Sequence, residues 1–157
     1  MNNSWKSGIG FGITSAIITT VGLMVGLISS TNSKIAVVGG IITIAIADAM
    51  SDAMGMHLSQ EFAGQDQKNV WIATISTFIT KMIVAATFII SPLFFSLITS
   101  AIINIIWGLL ILGIFSYIIA KNEHEKPFAV ISQHLLIAMV VIVLSYFVGK
   151  LINYIFV

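Results

Sequence analysis

The sequence predicts an all-α membrane protein of five transmembrane helices. Two observations carry this. Hydrophobic residues make up 58% of the 157 positions and charged residues 8%, against about 25% charged in an ordinary soluble domain. The apolar residues also fall in five long runs, and about 20 such residues cross the hydrocarbon of a bilayer as a helix. Barrel strands would alternate polar and apolar residues over about 10 positions, whereas these runs are apolar on every side. The composition excludes a soluble enzyme, a disordered chain and a nucleic-acid binder. Seven lysines, no arginine and six acids leave a net charge of +1, too sparse for a phosphate-binding patch. Cysteine is absent, which removes disulfides, thiolate ligands and cysteine nucleophiles.

The first span is expected from about Gly8 to Ile28, ended by the polar run Ser29 to Lys34. Lys6 before an apolar run imitates a signal peptide. The run exceeds the usual ~7–15 residues and no A-x-A site ends it, so it reads as a retained helix. The second span runs from Ile35 to about Gln60, followed by a polar link to Asn69. The third covers Val70 to Ile90. Ser91-Pro92 is expected to form a hairpin turn, because proline disfavours helical geometry in the residue before it. The fourth covers Leu93 to Ile119. The loop Lys121 to Pro127 precedes the fifth, Phe128 to Lys150. All belong to one domain.

Five spans put the amino terminus, the 2–3 link and the 4–5 link on one side, with Lys6, Lys68, Lys121 and Lys126. Lys34 and Lys150 lie on the other. Lysine excess marks the cytoplasm, so the amino terminus is expected inside and the carboxyl terminus outside, in a prokaryotic plasma membrane. Gly22 and Gly26 form a GxxxG pair, and Gly8, Gly12, Ala16 and Thr20 form a second small-residue stripe. Such stripes let helix backbones approach closely in lipid. They serve either packing inside one chain or contact between two copies.

The second span carries the chemistry. At 100° per residue, Asp48, Ser51, Asp52, Gly55, Met56 and Ser59 share one face, and Met50, Met54, His57 and Glu61 the opposite one. Each acid at mid-helix costs ~2.5–3.5 kcal/mol on insertion scales, so two need partners, a cation or water, and intramembrane acids point to function. Lys81 supplies one partner. With a turn near Gln65, Asp48 lies 17 residues before it and Lys81 16 after, at equal depth in antiparallel helices. One lysine neutralises one acid, so Asp52 is expected to be the exchangeable acid. Carboxylate, imidazole and thioether together suit a first-row divalent metal rather than magnesium or calcium. His57 and His124 read as interfacial and loop residues. His134, Asn104, Tyr117, Tyr146 and Asn153 read as interhelical hydrogen-bonding groups.

Two stretches resemble the vacuolar iron transporter family of five-helix membrane proteins. Thr14 to Gly26 is similar to its first-helix pattern N-D-G-[IL]-V-x-T-x-G-L-x-x-G, and Ser51 to Ser59 to its second-helix pattern S-M-A-x-G-E-Y-x-S. Ser145 to Leu151 is a weaker echo of its closing T-Y-x-x-G-[RK]-L. The family's first-helix Asp falls on Ser15, its second-helix Glu on Met56, its Tyr on His57 and its Met on Asp52. The chain lacks the long Glu- and Met-rich insert found in some members between helices two and three. The resemblance implies a homodimer with its pathway between the two first helices, exporting Fe²⁺ or Mn²⁺ from the cytosol against protons.

The expected function is therefore divalent-metal export. Asp48, Asp52 and Met56 would form the intramembrane site. Met54 and Glu61 would serve the cytoplasmic mouth, with Lys81 as charge partner and Gly22 and Gly26 packing a homodimer. The metal is cargo and no cofactor is expected. The other partners are protons and lipid, without nucleic acid. The alternative is a non-transporting membrane scaffold of the same fold, with Asp48–Lys81 as a buried staple. No nucleophile–base pair, HExxH or nucleotide loop points to an enzyme.

Overall fold

A computed structural model describes residues 4–156, all helix and short connections. The elements are α1 (Ser4–Thr31), α2 (Lys34–Phe62), α3 (Gln67–Thr87), α4 (Ile90–Phe94), α5 (Leu97–Asn122) and α6 (Pro127–Phe156). Five segments are long and apolar enough to cross a membrane: α1, α2, α3 continued through α4, α5 and α6. Local chemistry sets the boundaries. Ser33, Asp66 and Ser96 cap α2, α3 and α5 by accepting from the backbone N–H of Ala36, Asn69 and Thr99, each satisfying a donor that the first turn leaves free. Pro127 opens α6, where its missing N–H costs nothing.

The turn between the third and fourth spans differs from the expected one. Ser91 and Pro92 lie inside α4, and the chain reverses at Phe95–Ser96. Pro92 still leaves its mark. It cannot donate to the carbonyl of Phe88, four residues back, and its ring crowds that carbonyl. The helix breaks at Phe88–Ile89. The Asn104 side-chain amide of α5 donates to the freed Phe88 carbonyl at 2.8 Å. A neighbouring helix thus satisfies the backbone that proline exposes, which is how membrane helices tolerate proline.

α1 is the central helix, packed against α2, α3, α5 and α6. Its two small-residue stripes explain this, since each accepts a different neighbour. A Cβ added at Gly8 would stand 2.4 Å from the Ala73 carbonyl oxygen, and at Gly12 2.9 Å from that of Thr77. α3 therefore lies directly on this stripe. A Cβ at Gly22 would meet Val141 at 2.9 Å, and one at Gly26 comes within 3.9 Å of Ser145. Gly22 and Gly26, expected to pack one copy on another, are seated on α6 of their own chain. α6 answers with its own small pair: a Cβ at Gly149 would fall 2.5 Å from the Gly26 carbonyl oxygen. The apolar core gathers around Ile17, Val21, Met24, Leu112 and Phe88. Outward faces carry large apolar residues such as Ile83, Ile106 and Phe147, as a lipid-facing surface requires.

Candidate functional site

Three helices converge at mid-span on one cation. Lys81 of α3 is 1% exposed, among the largest of the fully buried side chains described. Its Nζ lies 2.5 Å from Asp48 Oδ2 and also contacts Asp52 Oδ2. It donates to Ser15 Oγ at 2.8 Å, and Ser15 donates to Asp52 Oδ2 at 2.5 Å. The cluster is therefore Ser15, Asp48, Asp52 and Lys81. Asp48 and Asp52 are one turn apart on α2 and present both carboxylates to the same lysine. Gly12 brings α1 and α3 close at this level: a Cβ added there would stand 3.4 Å from the Lys81 backbone nitrogen. Ser15 is thereby brought to the pair.

Two expectations change here. Asp52 does not lack a counter-charge, because an ammonium has three donors and Lys81 reaches both acids as well as the serine. Ser15 joins the cluster although its spacing alone gave no reason to include it. The signal available was its place in the first-helix pattern, at the position the resembling family gives to an acid. Counted as ions, two carboxylates and one ammonium leave one negative charge. The acids are not sealed: their side chains are 27% and 20% exposed.

The remaining candidates do not join this cluster. Met56 lies a turn further along α2, its sulfur 3.8 Å from Gln60 Nε2. Met54 is 59% exposed on the outer surface and lines a cavity of about 430 Å³ with Met50, His57, Trp71 and Thr74. Glu61 accepts from Gln67 at 3.1 Å and lies 3.5 Å from His57 Nε2. The helical period separates them: Met54, His57 and Glu61 sit roughly opposite Asp52 around α2. Among the described residues, no three His, Cys, Asp or Glu side chains gather as a metal-binding group. His134 bonds Ser116 at 2.8 Å, joining α5 and α6, and Asn153 donates to the Ser30 carbonyl at 2.9 Å.

No protein-family model matches this chain, and no curated protein matches it.

Proposed function

We propose that this protein moves a cation across the membrane, with Asp48 and Asp52 as the binding carboxylates and Lys81 as their built-in counter-ion. The observation that carries this reading is the shared lysine. A buried ammonium that spans two acids holds the position a transported cation would take. Its long flexible stem lets it withdraw without moving a helix. An arriving cation displaces the ammonium from one or both carboxylates, and Ser15 adds a neutral oxygen donor. These oxygen donors suit Mn²⁺, as they would Mg²⁺ or Ca²⁺, and Fe²⁺ or Mn²⁺ is the cargo that the resemblance implies. Export from the cytosol against protons follows from the same resemblance and from the lysine bias.

We further infer a homodimer, assembled through α2 rather than through Gly22 and Gly26. Gly39, Thr43, Ala47, Ser51, Gly55 and Ser59 recur every fourth residue and are all exposed. Nothing in the same chain comes within 4 Å of a Cβ at Gly39 or Gly55. This stripe runs beside the two half-open acids, which lipid alone would solvate poorly. Two copies facing one another here would bring together two unbalanced negative charges, which one divalent cation neutralises.

The scaffold reading draws on the same lysine: a cation already touching both acids and Ser15 is also a complete interhelical staple. Transport separates the two. Reconstituted in vesicles with an internal pH dye, the protein should move Mn²⁺ or Fe²⁺ with opposite proton flux, and Asp52→Asn should abolish both. A folded Asp52→Asn variant that transports like the parent removes the acids from the mechanism. A parent that moves no divalent metal leaves the staple as the function of the cluster.

A further inference from the structure

The other flank of α2 holds an arrangement that the carboxylate cluster does not use. Met50, Met54 and His57 stand at i, i+4 and i+7 and line one cavity with Trp71, Thr74 and Phe78 of α3. Which ring nitrogen of His57 donates can be read from its neighbours. The Thr74 hydroxyl donates its single hydrogen to the Val70 carbonyl at 2.7 Å. It can therefore only accept from His57 Nδ1, 3.0 Å away, so the Nδ1 position carries the hydrogen. In the neutral ring, Nε2 then presents a lone pair, and it faces Glu61 Oε1 at 3.5 Å. That nitrogen can give its lone pair to a metal ion, and the Glu61 carboxylate beside it can balance the charge. A histidine held by an N–H bond on one nitrogen, with the other free, is the arrangement that outer-shell partners impose on metal-ligating imidazoles.

The surrounding donors decide which ion. Two thioethers are soft ligands and imidazole is a borderline one that also suits copper, so the set favours Cu(I) over hard divalent ions. Met50 and Met54 are 58% and 59% exposed, so neither is locked by packing, and the unbranched side chain can turn its sulfur inward. His57 packs edge-on to Trp71, ring centroids 4.9 Å apart, placing an indole beside the same cavity, where its face can stabilise a cation. Charge agrees. Glu61 supplies one negative charge, which a monovalent ion neutralises and a divalent ion would exceed.

We propose that Met50, Met54 and His57, backed by Glu61, form a second metal site, selective for a soft monovalent cation of the Cu(I) and Ag(I) class. It is independent of Asp48, Asp52 and Lys81, and of whether that cluster transports anything. The test uses Ag(I), which needs no reductant, and Cu(I) held by a chromophoric chelator, on the purified full-length protein in detergent. The chain has no cysteine, so no thiolate competes.

The parent should take up one equivalent per chain, with quenching of a fluorescence component that Trp71→Phe removes. Met50→Leu with Met54→Leu should abolish binding at unchanged thermal stability. Thr74→Val, which strips the acceptor from His57 Nδ1–H, should weaken it by about 10–100-fold. Met139→Leu, on lipid-facing α6, and Asp52→Asn should bind like the parent. Excess Mn²⁺ should not displace the metal. Absence of stoichiometric binding by the parent overturns the proposal. Binding that survives loss of both methionines, or that Mn²⁺ displaces at equal concentration, overturns it as well.

Discussion

Lys81 ties three helices together through one ammonium. It is buried, and its ammonium is the common partner of two acids and a serine. Breaking a buried ion pair from one side strands the remaining charge and costs about 3–5 kcal/mol. Lys81→Met should therefore destabilise the protein by about that amount, read as a lowered unfolding temperature in detergent. Repair has to address both acids. Lys81→Met with Asp48→Asn leaves Asp52 stranded and should recover only part of the loss. Adding Asp52→Asn should recover most of it, because apolar or neutral replacements of a whole buried cluster are often tolerated. Equal recovery by the double and triple variants would show that Lys81 serves Asp48 alone. Of this cluster, the Asp48–Lys81 pair was legible in the sequence from depth on two antiparallel helices. The second contact was not, because counting one charge against one charge ignores that an ammonium has three donors. Met54 and Glu61, expected at the cytoplasmic mouth, lie on the opposite flank of α2, where the helical period already put them in the sequence.

At the scale of elements, small residues and one proline decide how the helices meet. Gly22, Gly26 and Gly149 fix the crossing of α1 and α6. Gly149→Ala drives a methyl toward the Gly26 carbonyl and should cost about 1–3 kcal/mol, the usual range for overpacking. Gly22→Leu with Gly26→Leu should disrupt the fold of the single chain. A parent-like unfolding temperature with only the oligomer lost would place those glycines between copies instead. The break at Phe88 makes a second prediction. Asn104→Leu orphans the Phe88 carbonyl and should cost about 1–3 kcal/mol. Pro92→Ala restores a backbone N–H able to bond that carbonyl, so the double variant should be more stable than Asn104→Leu alone. If it is not, the asparagine acts through its other contact, the Met24 sulfur at 3.1 Å. The expected Ser91-Pro92 hairpin shows where local rules give out. Proline predicts a break in the helix, and whether the chain turns there depends on a neighbour able to satisfy the freed carbonyl. Asn104, twelve residues on, gave no local sign of that role.

For the molecule as a whole, five spans were readable from run length alone, since bilayer thickness sets the same length for each. Which faces meet was not readable, because a helix apolar on every side has no preferred face to bury. The central place of α1 emerges only from the pairing of its two stripes with α3 and α6. Five spans also put the termini on opposite sides, and the proposed direction of transport takes the amino terminus as the inner one, from the lysine bias. A reporter fused after Val157 should report the external side, and a cytoplasmic signal would invert the direction of transport proposed here.

If Asp48, Asp52 and Lys81 form a cation site that the lysine vacates, crystals grown with Mn²⁺ and measured by anomalous scattering will show it. A manganese peak should stand bonded to the carboxylates of Asp48 and Asp52, with the Lys81 ammonium withdrawn from at least one of them. Lys81 still bridging both acids at saturating Mn²⁺, with no peak beside them, would contradict such a site.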